Sequence, residues 1–525
     1  MRRRAAWLAA IAATLGAACG SSHGRDSGNG AAPFGEGGWD DGATPAGGRA
    51  GSASGAGGTT SGRGDSAGAG GNTSGAAGTT RGGSSGATTT GGSVGMAGSA
   101  TGGAGRAGST QGGEAGGPEL PDPPAGWTKS VEFPRPDPAR GSTRPVVTLE
   151  STGVAEVIAL SQDLLVATFD TQATFGTPEV LETDSIVNRP AMGIDANDVS
   201  LAIWPGPTNN GRSDELVASR HPPGGSWSAP VSLGTGPHGA DELALAVSAN
   251  GTAVAVWIWP RTAVRYSHFD GTSWGEPGDV GPLAADSLAR PSVSLDATGK
   301  GLVVWRDVAP GDVIGASRFD GTEFDTPTDL CPESATECYL PAVAVNAEGD
   351  GTAAFELDYT LSAVSFDRAL GWQTPERVSL LDRANYGAEP KLGYTGAGDL
   401  IAIWREEISD YDYRCMSAVK SSAGWSAPRE LQPDSGETQS KALAVAPDGR
   451  AVAIWGTTGT AMAGTRFWAA YYRPSSGWDP AFILDEGGTS PSEVAAAINE
   501  SGQAVLAWTR WESPPRVRVA RYDPP

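Results

Sequence analysis

"LALAVSANGTAVAVWIWPRTAVRYSHFDGTSWGEPGDV", residues 243–280, decides how this chain is to be read. It opens with an apolar run, turns at Asn-Gly, and resumes as a second apolar run ending in Trp257. A variable loop follows, then a third run, an Asp-Gly turn, and a fourth segment that starts with Trp274 and carries a Pro. Asn-Gly and Asp-Gly between apolar runs are strong short-range hairpin signals, so the stretch predicts four antiparallel strands in a meander. The first two runs are apolar at nearly every residue and are built from small Ala and Val, so both faces of those strands need cover.

The unit recurs about every fifty residues. Clear copies are "PSVSLDATGKGLVVWRDVAPGDVIGASRFDGTEFDTPTDL" from Pro291 and "KALAVAPDGRAVAIW" from Lys441. Trp204, Trp257, Trp305, Trp404, Trp455 and Trp508 mark the second run, with Phe355 and Ala159 in the same place. Trp227, Trp274, Phe324, Trp372, Trp425, Trp478 and Phe175 mark the fourth. Four-stranded sheets in series, each packed between two like itself, give the required cover in a β-propeller. The second-run marks predict eight blades; seven is the alternative if the weakest unit, residues 144–185, is no blade. The last unit ends at "RVRVARYDPP" without a fourth strand, whereas "GWTKSVEF", containing Trp127, stands alone before the first unit. The orphan is predicted to complete the last blade and close the ring, leaving no open sheet edge there. The fold class is therefore all-β, a single propeller spanning residues 123–525.

Ahead of it, residues 20–122 are so rich in Gly, Ser, Thr and Ala that they can bury no core, and they read as a disordered tether. Residues 1–19 hold three arginines, an apolar run and a small-residue site ending at Cys19, which is export chemistry. This leader resembles a bacterial lipoprotein signal, although Gly16 stands where such signals usually carry Leu. The resemblance implies a lipidated Cys19 at the mature N-terminus, and Gly20 after it implies the outer membrane or cell surface; a secreted protein is the alternative. The net charge is −23. The leader's three arginines and the tether's surplus of acids cancel, so the folded part carries that charge alone, which disfavours nucleic acid and anionic lipid as partners. No later segment is long and apolar enough to span a bilayer, so any membrane contact is through the lipid anchor. Of four cysteines, Cys331 and Cys338 are the natural disulfide pair in an oxidising compartment, leaving Cys415 as a buried thiol.

Strand reversal puts the 1–2 and 3–4 turns on one face and the longer, more varied 2–3 and 4–1 loops on the other, where binding is expected. On that face Arg144, Arg189 and Arg290 each precede a Pro at the start of an innermost strand. The arrangement distantly resembles sialidases and other propellers with Asp-box repeats, whose Asp/Gly/Trp hairpins "FDGTSW" at 269–274 approximates with one residue missing from the spacing. That resemblance implies arginines gripping an anionic sugar. No Tyr nucleophile with its Glu can be placed, and eight units exceed the six blades of that family. Arginines in an acidic domain also serve to satisfy neighbouring carboxylates. "GTSWG" at 271–275 and "GTGPHG" at 234–239 match a hydrolase elbow and a phosphate loop, but neither leads into a helix. "RGD" at 63–65 lies in the tether. Glu406, Glu407, Asp410 and Asp412 offer oxygen ligands suited to Ca²⁺, though a solvated acidic loop is the better explanation for them; no cofactor is otherwise implied. The leading expectation is a monomeric, non-catalytic binder of a glycan, polymer or protein through the 2–3/4–1 face. The alternative is a sialidase-like glycoside hydrolase.

Overall fold

A computed structural model describes residues 120–525 apart from stretches at 184–188, 207, 210–211, 214, 236–241, 259–261, 284–289, 309–311, 380–387, 410–411, 435 and 460–463. The chain forms eight antiparallel meander sheets, each running from an inner strand outward, arranged as the blades of a β-propeller. The unit at residues 243–280 supplies Leu243–Val247, Ala253–Ile258, Ala263–Phe269 and Gly278–Pro282. The weakest unit is a full blade as well, with strands Thr143–Leu149, Ala155–Leu160, Leu164–Phe169 and Glu179–Glu182.

The apolar first and second strands are buried on both faces because neighbouring blades pack against them. Trp204, Trp404, Trp455 and Trp508 have no exposed surface, and neither do Phe355 and Ala159 at the same repeat position. Trp508, for example, lies in a cluster that joins Phe467, Ala469 and Tyr471 of blade 7 to Ala504, Leu506 and Ala520 of blade 8. Such burial contributes about 25 cal/mol per Å² of apolar surface, which is why small and bulky residues alternate between seams instead of facing water.

The 1–2 turns show why the sequence repeats Gly there. Gly153, Gly251, Gly299, Gly349, Gly398, Gly449 and Gly502 all have φ between +77° and +89°. Blade 2 puts Asp198 in that place at φ +61°, the kind of residue best able to replace Gly in left-handed backbone. The fourth strands are interrupted. Trp372, Trp425 and Trp478 pair with the third strand just after the turn, and a separate short segment pairs again beyond the Pro, which has no N–H to give the ladder.

The ring closes as the sequence predicts. Val131–Glu132 joins the last blade beside Arg516–Tyr522, with Val131 opposite Val519, and Trp127 bridges to Tyr522. The Phe133 N–H donates to Val517 O at 2.9 Å, Thr128 N–H to Arg521 O at 3.0 Å, and Asp523 N–H to Gly126 O at 2.8 Å. Phe133 is buried, 1% exposed, edge-to-face on Phe175 of blade 1 at 5.4 Å between ring centres. Trp127 is half-buried between Phe482 and Tyr522. Arg521, wholly buried, ties the same seam: its guanidinium pairs with Asp523 and donates to Gly153 O and Asp170 O of blade 1.

Cys331 and Cys338 are joined in a disulfide, and Cys415 is a free, buried thiol whose pKa burial pushes up to about 12. No helix among the described residues is long and apolar enough to cross a membrane. Residues 1–119, with the leader, Cys19 and most of the tether, lie outside the described residues.

Candidate functional site

The innermost strands begin on the face of the long loops, and one repeat position near their start, taken from each of the eight blades, forms a ring of which all members but Ser440 line the axial cavity. In chain order these are Arg144, Arg189, Glu242, Arg290, Leu340, Glu389, Ser440 and Glu493, the positions preceding the partners of the second-strand aromatics. Six of them are left-handed: Arg144 (φ +56°), Arg189 (+35°), Arg290 (+40°), Leu340 (+54°), Glu389 (+42°) and Glu493 (+61°). A bulky residue in this region costs about 1–3 kcal/mol and persists only where surrounding contacts hold it. Five of the six precede Pro, and in blades 1 and 5 the ladder slips its register at this point.

The holding contacts are carboxylates from other blades. Glu493 Oε2 accepts the backbone N–H of Arg144 at 2.8 Å and the Thr509 hydroxyl at 2.6 Å, while Glu493 Oε1 lies 3.6 Å from the Arg144 guanidinium. Glu242 of blade 3 accepts the backbone N–H of Arg290 in blade 4. Glu356 accepts the N–H of Ala388 at 3.1 Å, next to the strained Glu389. Glu389 in turn pairs with Lys441 of blade 7 at 3.1 Å, both side chains being buried. Part of the ring's charge is therefore structural, which accords with acids and arginines satisfying one another in an acidic domain.

This ring surrounds a cavity of about 150 Å³ on the axis. Arg144, Arg189 and Arg290 all line it, so the structure brings the three Arg-Pro residues of the sequence to one mouth. Reading only for Arg-Pro missed the rest of the ring. Glu389-Pro and Leu340-Pro occupy the same repeat position and were legible as the same signal; Glu242, Ser440 and Glu493 lack the Pro and had none. Below the rim the wall is aliphatic. Leu392 and Leu443 line both this cavity and a smaller one of about 50 Å³ that opens from the 1–2 turn side, so they form a waist between the two mouths.

Two cation–aromatic pairs stand on the same face. The Arg306 guanidinium lies 4.0 Å over the Tyr339 ring and donates to Asp312 at 2.8 Å. Burial and the bond to Asp312 push the Tyr339 hydroxyl up to about 12. Arg405 lies 3.9 Å over Tyr413 and donates to Glu437 at 2.9 Å.

The remaining motifs resolve as framework. In "FDGTSW" the Asp270 carboxylate accepts the N–H groups of Thr272 and Ser273, which also holds its pKa down; Asp320 and Asp367 accept the corresponding N–H groups in their own 3–4 turns. Ser273 of "GTSWG" lies in that hairpin, and most of "GTGPHG" falls outside the described residues. Of the acidic group considered for Ca²⁺, Glu406 accepts the Trp404 indole N–H at 2.9 Å, Asp412 pairs with Arg414, and Asp410 lies outside the described residues. Among the described residues no cluster of three or more His, Cys, Asp or Glu is placed to hold a metal ion.

No family model matches the chain, and no curated protein matches it. Among solved structures, BP39L lectin from Burkholderia pseudomallei is similar with a TM-score of 0.46 and 13% identity, over 63% of this chain and 94% of that one. The NanB sialidase from Streptococcus pneumoniae has a TM-score of 0.36 and 8% identity, over 75% and 94%. The Aleuria aurantia lectin, a fungal six-bladed β-propeller with a fucose recognition mode, has a TM-score of 0.37 and 10% identity, over 56% and 94%. No residue of the ring is carried over from any of them.

Proposed function

We propose that this chain is a non-catalytic binding protein that takes its ligand at the axial mouth on the 2–3/4–1 face and is displayed from the cell envelope by a lipid on Cys19. The observation that carries the reading is the left-handed ring itself. Six non-glycine residues keep this costly backbone, carboxylates from other blades hold the N–H groups of Arg144 and Arg290, and three of the six, Arg144, Arg189 and Arg290, stand around one cavity. Strain retained on the face of the variable loops supports a site, because a purely structural ring could place Gly there without steric cost. The tether would hold that face clear of the membrane, with a mean reach of about 50–60 Å for a hundred flexible residues.

The hydrolase alternative finds less support. Glycosidase chemistry needs two carboxyl groups flanking one bond, but Glu389 is paired with Lys441 and Glu493 with the Arg144 backbone and Thr509. Among the described residues no tyrosine lines the cavity. Glycan-array and pull-down binding of the purified protein, compared with the Arg144→Ala/Arg189→Ala/Arg290→Ala variant, tests the mouth as the site; equal signals would remove it. Membrane fractionation of Cys19→Ala tests the anchor, with release into the soluble fraction as the supporting result.

A further inference from the structure

The walls of the mouth narrow its ligand further, on the premise that the mouth is the site. Beneath the charged rim the cavity is lined by Val146, Leu245, Val293, Val343, Leu392 and Leu443, among other aliphatic residues and prolines, and among the described residues none that lines it is aromatic. A sugar pushed into such a funnel would strand its hydroxyls against groups that offer no hydrogen bond, a poor exchange for water. An aliphatic group would lose nothing there. Its depth is limited by the Leu392–Leu443 waist, and a volume near 150 Å³ matches apolar cavities that take up a molecule the size of benzene.

The rim has its own sign. Arg144, Arg189, Arg290 and Lys391 face Glu242, Glu389 and Glu493 around the cavity, and Lys441 lies buried behind Glu389. Among the described lining residues four cations stand against three acids, and Lys441 adds a fifth positive charge behind Glu389, so these groups sum to a positive excess although the chain carries −23. A low-dielectric funnel with that excess concentrates anions from outside.

We infer that the mouth binds an aliphatic carboxylate end-on, its hydrocarbon body of about six to eight carbons seated against the leucine waist and its carboxylate held by the arginine rim. The same chemistry is offered by a free medium-chain fatty acid and by a peptide C-terminus ending in an aliphatic residue.

The test is isothermal titration of the full chain with butanoate, hexanoate, octanoate and decanoate, with octylamine and glucuronate as head-group and body controls. Affinity is expected to rise about fourfold per added methylene and to level off near eight carbons. Octylamine and glucuronate should bind at least tenfold more weakly than octanoate. Arg189→Ala/Arg290→Ala should weaken octanoate about tenfold or more, and Ala342→Leu, which narrows the cavity, should shift the plateau to a shorter chain. The chain-length series needs no variant, so it stands if either variant misfolds. Acetyl-Gly-Gly-Leu, as free acid and as amide, identifies the source: tighter binding of the free acid than of octanoate points to a protein C-terminus, the reverse to a fatty acid. Absence of any chain-length dependence, or octanoate binding indifferent to the arginines, overturns the inference. If glycans bind and lose affinity in the arginine variants while octanoate does not bind, the ligand class is wrong and the mouth remains the site. If no probe responds to those variants, both readings fall.

Discussion

Phe133→Ala is the sharpest perturbation of the closure. Phe133 follows the two-residue strand that completes the last blade, is 1% exposed, and packs in one cluster with Val147, Val157 and Phe169 of blade 1 and with Val505, Val517 and Val519 of blade 8. Truncating a buried Phe costs about 3–5 kcal/mol, from lost transfer energy and the cavity left behind. The edge-to-face pair with Phe175 adds to that burial and places the loss in the seam between the last blade and the first. If the ring of about 400 residues unfolds cooperatively, its unfolding entropy at about 2.1 cal/mol/K per residue converts that loss into a fall in Tm of roughly 4–6 °C. Guanidinium titration monitored by tryptophan fluorescence and by far-UV circular dichroism gives the free energy, and calorimetry gives Tm. Leu370→Ala, at a side chain 77% exposed, is the control and should move neither by more than about 0.5 kcal/mol. A Phe133→Ala effect no larger than this control's would refute the claim that the N-terminal strand holds the ring shut.

Two further outcomes follow from single groups. Cys415 is fully buried with its thiol pushed up to about 12, so with Cys19→Ser in the background a thiol reagent at pH 8 should modify no cysteine in the native protein and one after denaturation without reductant; rapid native labelling would contradict its burial. His221 of blade 2 sits with Nδ1 2.5 Å from Glu156 Oε1 of blade 1, stacked on Trp227, and the bond to Glu156 raises its pKa above the usual 6.5 despite opposing desolvation. A raised histidine stabilises the fold fully below pH about 6.5 and loses that contribution as pH climbs through the folded value. The Tm gap between wild type and His221→Gln should therefore be wider at pH 6 than at pH 8.5, and a constant gap would show that protonation plays no part.

The architecture was legible because its causes are local or periodic. Apolar runs of Ala and Val, Asn-Gly and Asp-Gly turns, and one aromatic per second strand recur at a spacing that any single repeat displays, and the surplus "GWTKSVEF" matched a deficit at the other end. The mouth was legible only where it carried Arg-Pro. Left-handed backbone at Leu340 goes with a slip of the ladder, and an acid from another blade bonds Arg144 in one case, Glu493, and the neighbour of Glu389 in the other, Glu356. The Glu156–His221 pair likewise joins residues in adjacent blades. Such contacts leave no trace in the periodicity, because each blade needs something different from its neighbour at the same position. Composition alone could not show that Glu406 and Asp412, which share a hairpin, face different partners, an indole and a guanidinium.

Glu132 and Arg516, which pair across the completed blade, are 384 positions apart. Bringing such distant segments together costs about 2 kcal/mol more in loop-closure entropy than joining strands one repeat apart. Seven blades can assemble from neighbouring sequence as they emerge, but the eighth has to wait for the final strand to be synthesised. Ring formation is thus the slow, late event of folding, and until it happens the buried faces of the first and last blades stay open to wrong partners. A chain built this way completes its closing sheet only when its last residues arrive.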